Sequence, residues 1–387
     1  MRTFVKWGLR AGLLLILAGA VVGLWKREEI MRLLAVNTLF ESDRIVENFS
    51  NMRRAFLTAP VPRGDGPVTA LPPGKGIALP EDVRKWTQDR ALTSLLVLHE
   101  GRIVFEDYYL GTGASDRRIS WSMAKSYLSA LFGIMTAERA FASLDDPVTA
   151  YAPQLAGSAY DGATIRNVLQ MTSGVAFDED YLDYHSDINR MGRVLALGGT
   201  MDGFAAGLTG RAAAPGERWK YVSIDTHVLA MIIRGATGRD LPSLLSEKVI
   251  APLGLERSPY YITDGEGVAF ALGGLNMTTR DYARFGLMFE RMGALGGQQI
   301  VPRDWVAAST RASAPTQPGE TGYGYQWWIP ANAPAGVFMA RGIYGQYIYI
   351  DQNRDIVIIV TAADMGFRGA GVHDMNVSMM RRIARLP

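Results

Sequence analysis

The chain has 387 residues, 48% of them hydrophobic and 20% charged, which describes a globular protein with room for a large core and not a disordered one. Its formal charge is +2, and the three residues Arg2, Lys6 and Arg10 precede the first apolar run, so the remainder carries −1 and offers no basic patch for nucleic acid. Cysteine is absent, which excludes disulfides, thiol nucleophiles and thiolate metal sites together.

The first predicted element spans Ala11 to Trp25, fifteen residues without a charge, closed by Lys26 and Arg27. As a helix this run covers roughly 22 Å, short of a ~30 Å hydrocarbon core unless Arg10 and Lys26 snorkel. It reads as a signal anchor or a signal peptide over residues 1–26. The best cleavage site, Ala18-Gly19-Ala20, lies inside the run and favours the anchor. In both readings the positive residues stay cytoplasmic and the rest is exported. The expected location is therefore the bacterial cell envelope, on the periplasmic side of the inner membrane, with membrane contact through this segment. Residues 27–79 follow as a connecting region, mildly amphipathic at first and then the Pro/Gly-rich arm "APVPRGDGPVTALPPGKGIALP".

A folded domain is expected over 80–387, opening with a helix at Glu81 to Arg90. Thr93 to His99 and Arg102 to Tyr109 form a hairpin across a Glu100-Gly101 turn. "SWSMAKSYLSALFGIMT", from Ser120 to Thr136, is a helix apolar on nearly every side and therefore buried. Thr164 caps a helix that stops at Ser173-Gly174, and residues 176–192 form an acidic, aromatic loop too long for a plain connector. Helical patterns recur at Met201 to Leu208, Asp225 to Ala236, Leu241 to Ile250 and Thr279 to Met292. After Tyr323 come four short runs of strand composition, the last two split by a Gln352-Asn353-Arg354-Asp355 turn, and a closing helix. Strands at both ends must meet in one antiparallel sheet. The expected fold is α+β, an α/β/α sandwich with an inserted, mainly helical subdomain at about 137–320 and a site in the cleft between them.

Within the buried helix, Ser122 and Lys125 are three apart and share a face. A lysine in an apolar helix must be paired or have its proton affinity lowered by desolvation. It can then take the proton of a serine hydroxyl. Taken alone, Ser122 is equally readable as a helix cap. Further along, "KYVSID" places Tyr221 and Ser223 on one side of an extended segment, where an ammonium group nearby would lower the tyrosine pKa enough for it to share proton transfer. Ser223 also reads as a cap and Tyr221 as a core or rim residue. In "ARGIYGQYIYID", Gly342 and Gly345 interrupt a strand, as happens where a backbone or ligand approaches closely, and an edge there can offer a backbone N–H to an oxyanion. No Gly-x-Ser-x-Gly elbow, His-Glu-x-x-His pair, phosphate loop or dinucleotide fingerprint is present, and His227 reads as a core histidine.

The set "SMAK", "YVS" and a Gly-rich penultimate strand, with "LDDPVTAYAPQL", "TIRNVLQMTSGV", "GGLNMTTRDYARFG" and "YGYQWW" between, resembles the serine β-lactamase and penicillin-binding-protein superfamily over residues 80–387. The tyrosine motif resembles its class C-like branch of esterases and amide hydrolases, and "FDEDYLDYHSD" is similar to the substrate loop of 6-aminohexanoate-dimer hydrolases. The resemblance implies Ser122 as acylated nucleophile, Lys125 as its base and Tyr221 as proton shuttle. Backbone N–H groups of Ser122 and Ile343 would form the oxyanion hole, with Tyr181, Ser223, Arg341, Gly342 and Tyr344 against substrate and Tyr181 as a lid residue. It implies no metal and no organic cofactor. One departure is chemical: the superfamily's Lys-Thr-Gly strand motif is replaced by Ala340-Arg341-Gly342, removing the lysine that would grip a β-lactam or peptide carboxylate. The expected activity is hydrolysis of a small amide, ester or short peptide through an acyl-enzyme. The alternatives are a cell-wall peptidase, transpeptidase or β-lactamase, and a non-catalytic receptor acylated by a cell-wall fragment.

Overall fold

A computed structural model describes residues 2–387. Helices α1 (Arg2–Trp25) and α2 (Arg27–Asn37) lead through α3 (Ile45–Ser50) to β1 (Leu57–Pro60). Then come α4 (Glu81–Asp89), β2 (Leu92–His99), β3 (Arg102–Tyr108), β4 (Arg118–Ile119) and α5 (Ala124–Ala137). The middle of the chain supplies α6 (Ile165–Leu169), α7 (Asp187–Ala196), α8 (Met201–Ala206), α9 (Ser223–Thr237), β5 (Tyr260–Thr263), β6 (Leu275–Met277) and α10 (Thr279–Glu290). The last third adds α11 (Arg303–Ser309) and strands β7 (Gly322–Tyr323), β8 (Trp328–Ile329), β9 (Val337–Gly342), β10 (Gln346–Asp351) and β11 (Ile356–Ala362), ending in α12 (Val372–Ile383).

Seven strands form one antiparallel sheet in the order β3-β2-β11-β10-β9-β8-β7. The pairing of β2 with β11, Val97 opposite Ile358, joins the two ends of the domain as expected. Both faces are covered, so the central strands are buried on both sides and mostly apolar, with their polar residues near the strand ends. Leu95 and Val97 pack with Trp86 of α4 and Val377 and Met380 of α12, whereas Leu96 and Leu98 face the opposite core with α5 and α10. This is the α/β/α sandwich. Lys125 and every residue of α5 from Ala124 to Met135 are buried, because α9 and α11 flank the helix; Gly133 admits the Trp305 ring where a Cβ would come within 2.3 Å.

The segment 27–79 differs from a connecting region. Ile45, Phe49 and Met52 are buried in the main core, and β1 pairs along its length with β5 in a second sheet of order β1-β5-β6-β4. Arg118, itself buried, donates to Ser50 Oγ at 2.9 Å and to the Val46 carbonyl. Mild amphipathicity hid this, since the burial comes from tertiary partners far along the chain. The loop expected over 176–192 is also shorter, because Ser186 caps α7 by accepting from the Asn189 N–H. At the N-terminus α1 extends beyond the apolar run, giving a 20-residue stretch, Lys6–Trp25, long and apolar enough to cross a membrane.

Candidate active site

The cleft is built where the turn leading into α5 meets the end of β9. Ser122 sits in a tight turn, Trp121–Met123, so its N–H is among those that no helical carbonyl engages. Trp121 adopts φ +43°, a left-handed conformation costly for a bulky side chain. Ring packing against Phe49 at 5.4 Å and Tyr344 at 6.1 Å holds it there.

One turn further, Lys125 Nζ lies 3.2 Å from Ser122 Oγ and donates at 2.8 Å to the Leu272 carbonyl. Burial lowers its pKa to about 7, against the opposing pull of the Glu179 and Asp225 carboxylates. A lysine so depressed is partly neutral at physiological pH and able to accept a proton. The Tyr221 ring centroid is 5.5 Å from the same Nζ. Its phenol differs from expectation: burial and the Glu179 charge push its pKa up, outweighing hydrogen bonding from Ser122 and the positive field of Arg341. Tyr221 therefore stays protonated, as a donor must. It stacks on Trp328 at 5.1 Å.

Ser223 is the first residue of α9 and makes no cap bond; instead its backbone N–H and hydroxyl both donate to Glu179. The Tyr181 hydroxyl donates to the same carboxylate at 3.1 Å. Glu179 is therefore the acid that organises the loop. Burial raises its pKa, against the N–H of Ser223 and the charge of Lys125. Behind it Asp225, fully buried, accepts from Tyr160 at 2.7 Å and Ser173 at 2.9 Å, and burial pushes it up to about 8.

On the facing wall, Gly342 abuts the Trp121–Met123 turn: a Cβ there would meet the Ser120 carbonyl at 2.7 Å. Ile343, Tyr344 and Gly345 turn the strand, Tyr344 at φ +59° and Gly345 at φ +86°. Gln346 braces this turn, donating to the carbonyls of Tyr344 and Ala362 while accepting from the Ala362 N–H. Arg341 lines the cavity with its guanidinium 5.5 Å from the Trp328 ring centroid. Tyr344 does not line it. Its ring stacks on Phe40 at 5.3 Å and packs on Phe367 at 4.6 Å, supporting the wall of the cavity from behind. Among the described residues, no three His, Asp or Glu side chains converge as a metal site requires.

Ser122, Lys125, Tyr181, Tyr221, Ser223, Arg341, Gly342 and Ile343 thus meet in one place. Glu179, Trp328, Gln346 and Phe40 are the residues that sequence reasoning missed. Glu179 stands in the quoted acidic loop, but nothing local separates it from its acidic neighbours.

A model of the beta-lactamase family matches residues 81–377. The chain belongs to the beta-lactamase family. Within the family it is 31% identical over 314 residues, 78% of this chain and 77% of the relative, to a 6-aminohexanoate-dimer hydrolase of Paenarthrobacter ureafaciens. A Bacillus anthracis structure assigned as a 6-aminohexanoate-dimer hydrolase superposes with a TM-score of 0.79 at 25% identity, covering 89% of this chain and 95% of that one. A D-stereospecific amidohydrolase from a Streptomyces species shares the fold at a TM-score of 0.59 and 18% identity, over 77% of this chain and 98% of its own. This beta-lactamase-family chain is accordingly a hydrolase of the amide or ester type.

Proposed function

We propose that the protein hydrolyses a small amide or ester through an acyl-enzyme on Ser122, with Lys125 as base and Tyr221 as proton donor. The observation that carries this reading is the 3.2 Å approach of a depressed, buried Lys125 to Ser122 Oγ. Lys125 takes the hydroxyl proton as Oγ attacks the carbonyl carbon. The oxyanion forms against the N–H groups of Ser122 and Ile343. Tyr221 gives its proton to the departing nitrogen or oxygen as the bond to carbon breaks, and is reprotonated from Lys125. Water then enters, loses a proton to the same pair and releases the acid and Ser122. The amide-hydrolysing relative supports small amides as substrates. Export and tethering through α1, with the domain on the periplasmic side, completes the reading; α1 has the length and hydropathy for it.

The test is intact-mass analysis during turnover of p-nitrophenyl butanoate. The expected result is a butanoyl adduct on the wild-type chain mapped to Ser122, and neither adduct nor turnover in a folded Ser122→Ala variant. Full turnover in that variant would refute the assignment.

A further inference from the structure

Two cavities meet at Ser122, and they differ in chemistry. The larger, about 290 Å³, is bordered by Glu179, Tyr221, Arg341 and Arg368. The smaller, about 100 Å³, is walled by Phe40, Trp121, Ile188, Met191, Phe270 and Leu272. Ser122, Tyr181 and Ile343 border both. No ionised side chain lines the smaller lobe. Of its polar members, the Asn189 amide donates to the carbonyls of Tyr181 and Asp183 and the hydroxyls of Ser223 and Tyr181 donate to Glu179, while the Trp121 indole N–H, a neutral donor, is unpartnered among the described residues. A charged group placed there would lose its hydration and gain no ion pair.

We propose that the smaller lobe receives the acyl arm of the substrate and selects a short, uncharged aliphatic chain, while the polar leaving amine or alcohol lies in the larger lobe. This rests on the reading of Ser122 as nucleophile and Tyr221 as donor. The direction follows from Tyr221, because a group that protonates the departing atom must face it, and Tyr221 borders only the larger lobe. There the Arg341 guanidinium offers a partner to a polar or anionic leaving group. The smaller lobe is empty of such partners, and its volume is that of about three water-sized groups, so it fits a chain of a few methylenes. The substrate class is therefore amides and esters of short aliphatic acids with polar leaving groups.

Phe40 determines this specificity from an unexpected origin. It lies between α2 and α3, ahead of the 81–377 family match, and stacks on Tyr344 at 5.3 Å and Trp121 at 6.0 Å. At 40% exposure it forms the rim of the lobe and tolerates truncation.

The experiment compares p-nitrophenyl acetate, butanoate, hexanoate and 6-ammoniohexanoate, with kcat/KM corrected for intrinsic ester reactivity, in wild type and Phe40→Ala. A buried methylene is worth about fourfold. The expected wild-type preference is at least tenfold for butanoate over acetate, as two buried methylenes give, retained but not matched again from butanoate to hexanoate, and at least tenfold for hexanoate over its ammonium analogue. Within Phe40→Ala the hexanoate-to-acetate ratio falls at least threefold; being a ratio inside one protein, it is insensitive to losses of active material. Equal or better use of acetate, preference for the ammonium chain, or a ratio unmoved by Phe40→Ala overturns the acyl-lobe assignment while leaving the nucleophile intact. Turnover with no acyl mass on Ser122 overturns the nucleophile reading instead, and this one with it.

Discussion

The Glu179 carboxylate accepts from both the backbone N–H and the hydroxyl of Ser223, tying the acidic loop to the first residue of α9. The same anion acts on Lys125, raising a pKa that burial has lowered. Glu179→Gln keeps an acceptor for Ser223 and removes the charge. Lys125 must be neutral to act as base, so the wild-type acid limb of kcat/KM falls near pH 7. Without the anion the lysine loses its proton more easily, and the limb moves to lower pH. A shift in the opposite direction in a pH–rate profile contradicts the coupling.

Tyr221→Phe separates leaving groups. An amide nitrogen needs a proton to depart, whereas p-nitrophenolate leaves without one. The variant is expected to lose at least 10²-fold in kcat on an anilide or alkyl amide and less than tenfold on a p-nitrophenyl ester. Equal losses on both would assign Tyr221 to packing against Trp328 and nothing more.

Gly342→Ala inserts a methyl group where the Ser120 carbonyl stands 2.7 Å away. Backbone cannot yield as a flexible side chain does, so β9 must withdraw from the Trp121–Met123 turn and carry Ile343 with it. We expect kcat to fall about 10²-fold with KM nearly unchanged, as for loss of an oxyanion donor. Steady-state kinetics beside a melting curve check this, since a merely destabilised enzyme keeps its kcat per folded molecule.

Lys125→Met tests the burial directly. The folded pKa of about 7 lies below the ordinary lysine value of 10.5, so the unfolded chain binds more protons between those limits. The cost to the wild type is complete below pH 7 and disappears as pH rises towards 10. The inactive variant should therefore be relatively most stable at or below neutral pH, with the gap in urea unfolding closing on the alkaline side. A gap independent of pH from 7 to 10 would show that Lys125 is not depressed.

Deletion of residues 2–26 should leave melting temperature and ester turnover intact, whereas deletion through residue 61 removes Phe49, Met52 and β1 and should give insoluble protein. Phe49→Ala, at a site with no exposure, is expected to cost about 3–5 kcal/mol in urea unfolding.

The buried helix α5 was legible because its apolar residues run on every side, and Lys125 stood out against them. The sheet was legible because both of its faces are covered, which leaves unbroken apolar runs such as Ile356 to Val360. The meeting of Ser122 with Tyr221 was not derivable from spacing, since they are brought together by a ninety-nine-residue excursion, and resemblance supplied it. Glu179, Phe40 and the raised Tyr221 pKa were not legible at all. Each depends on what faces it across the cleft, and an acid among acids or an aromatic in a weakly amphipathic stretch carries no mark of its partner.

The short course of α2 bears on where such an enzyme can work. One residue, Lys26, separates α1 from α2, and Phe40 follows the end of α2 at Asn37 by three residues. The eleven residues of α2 span about 16 Å, and the helix rests against α7 of the catalytic domain. A flexible linker of some 50 residues would let a domain roam about 40 Å from its anchor. On the proposed tethering through α1 there would be no such leash: the only connection from anchor to domain is this one short helix, and it would hold the domain close to the headgroups.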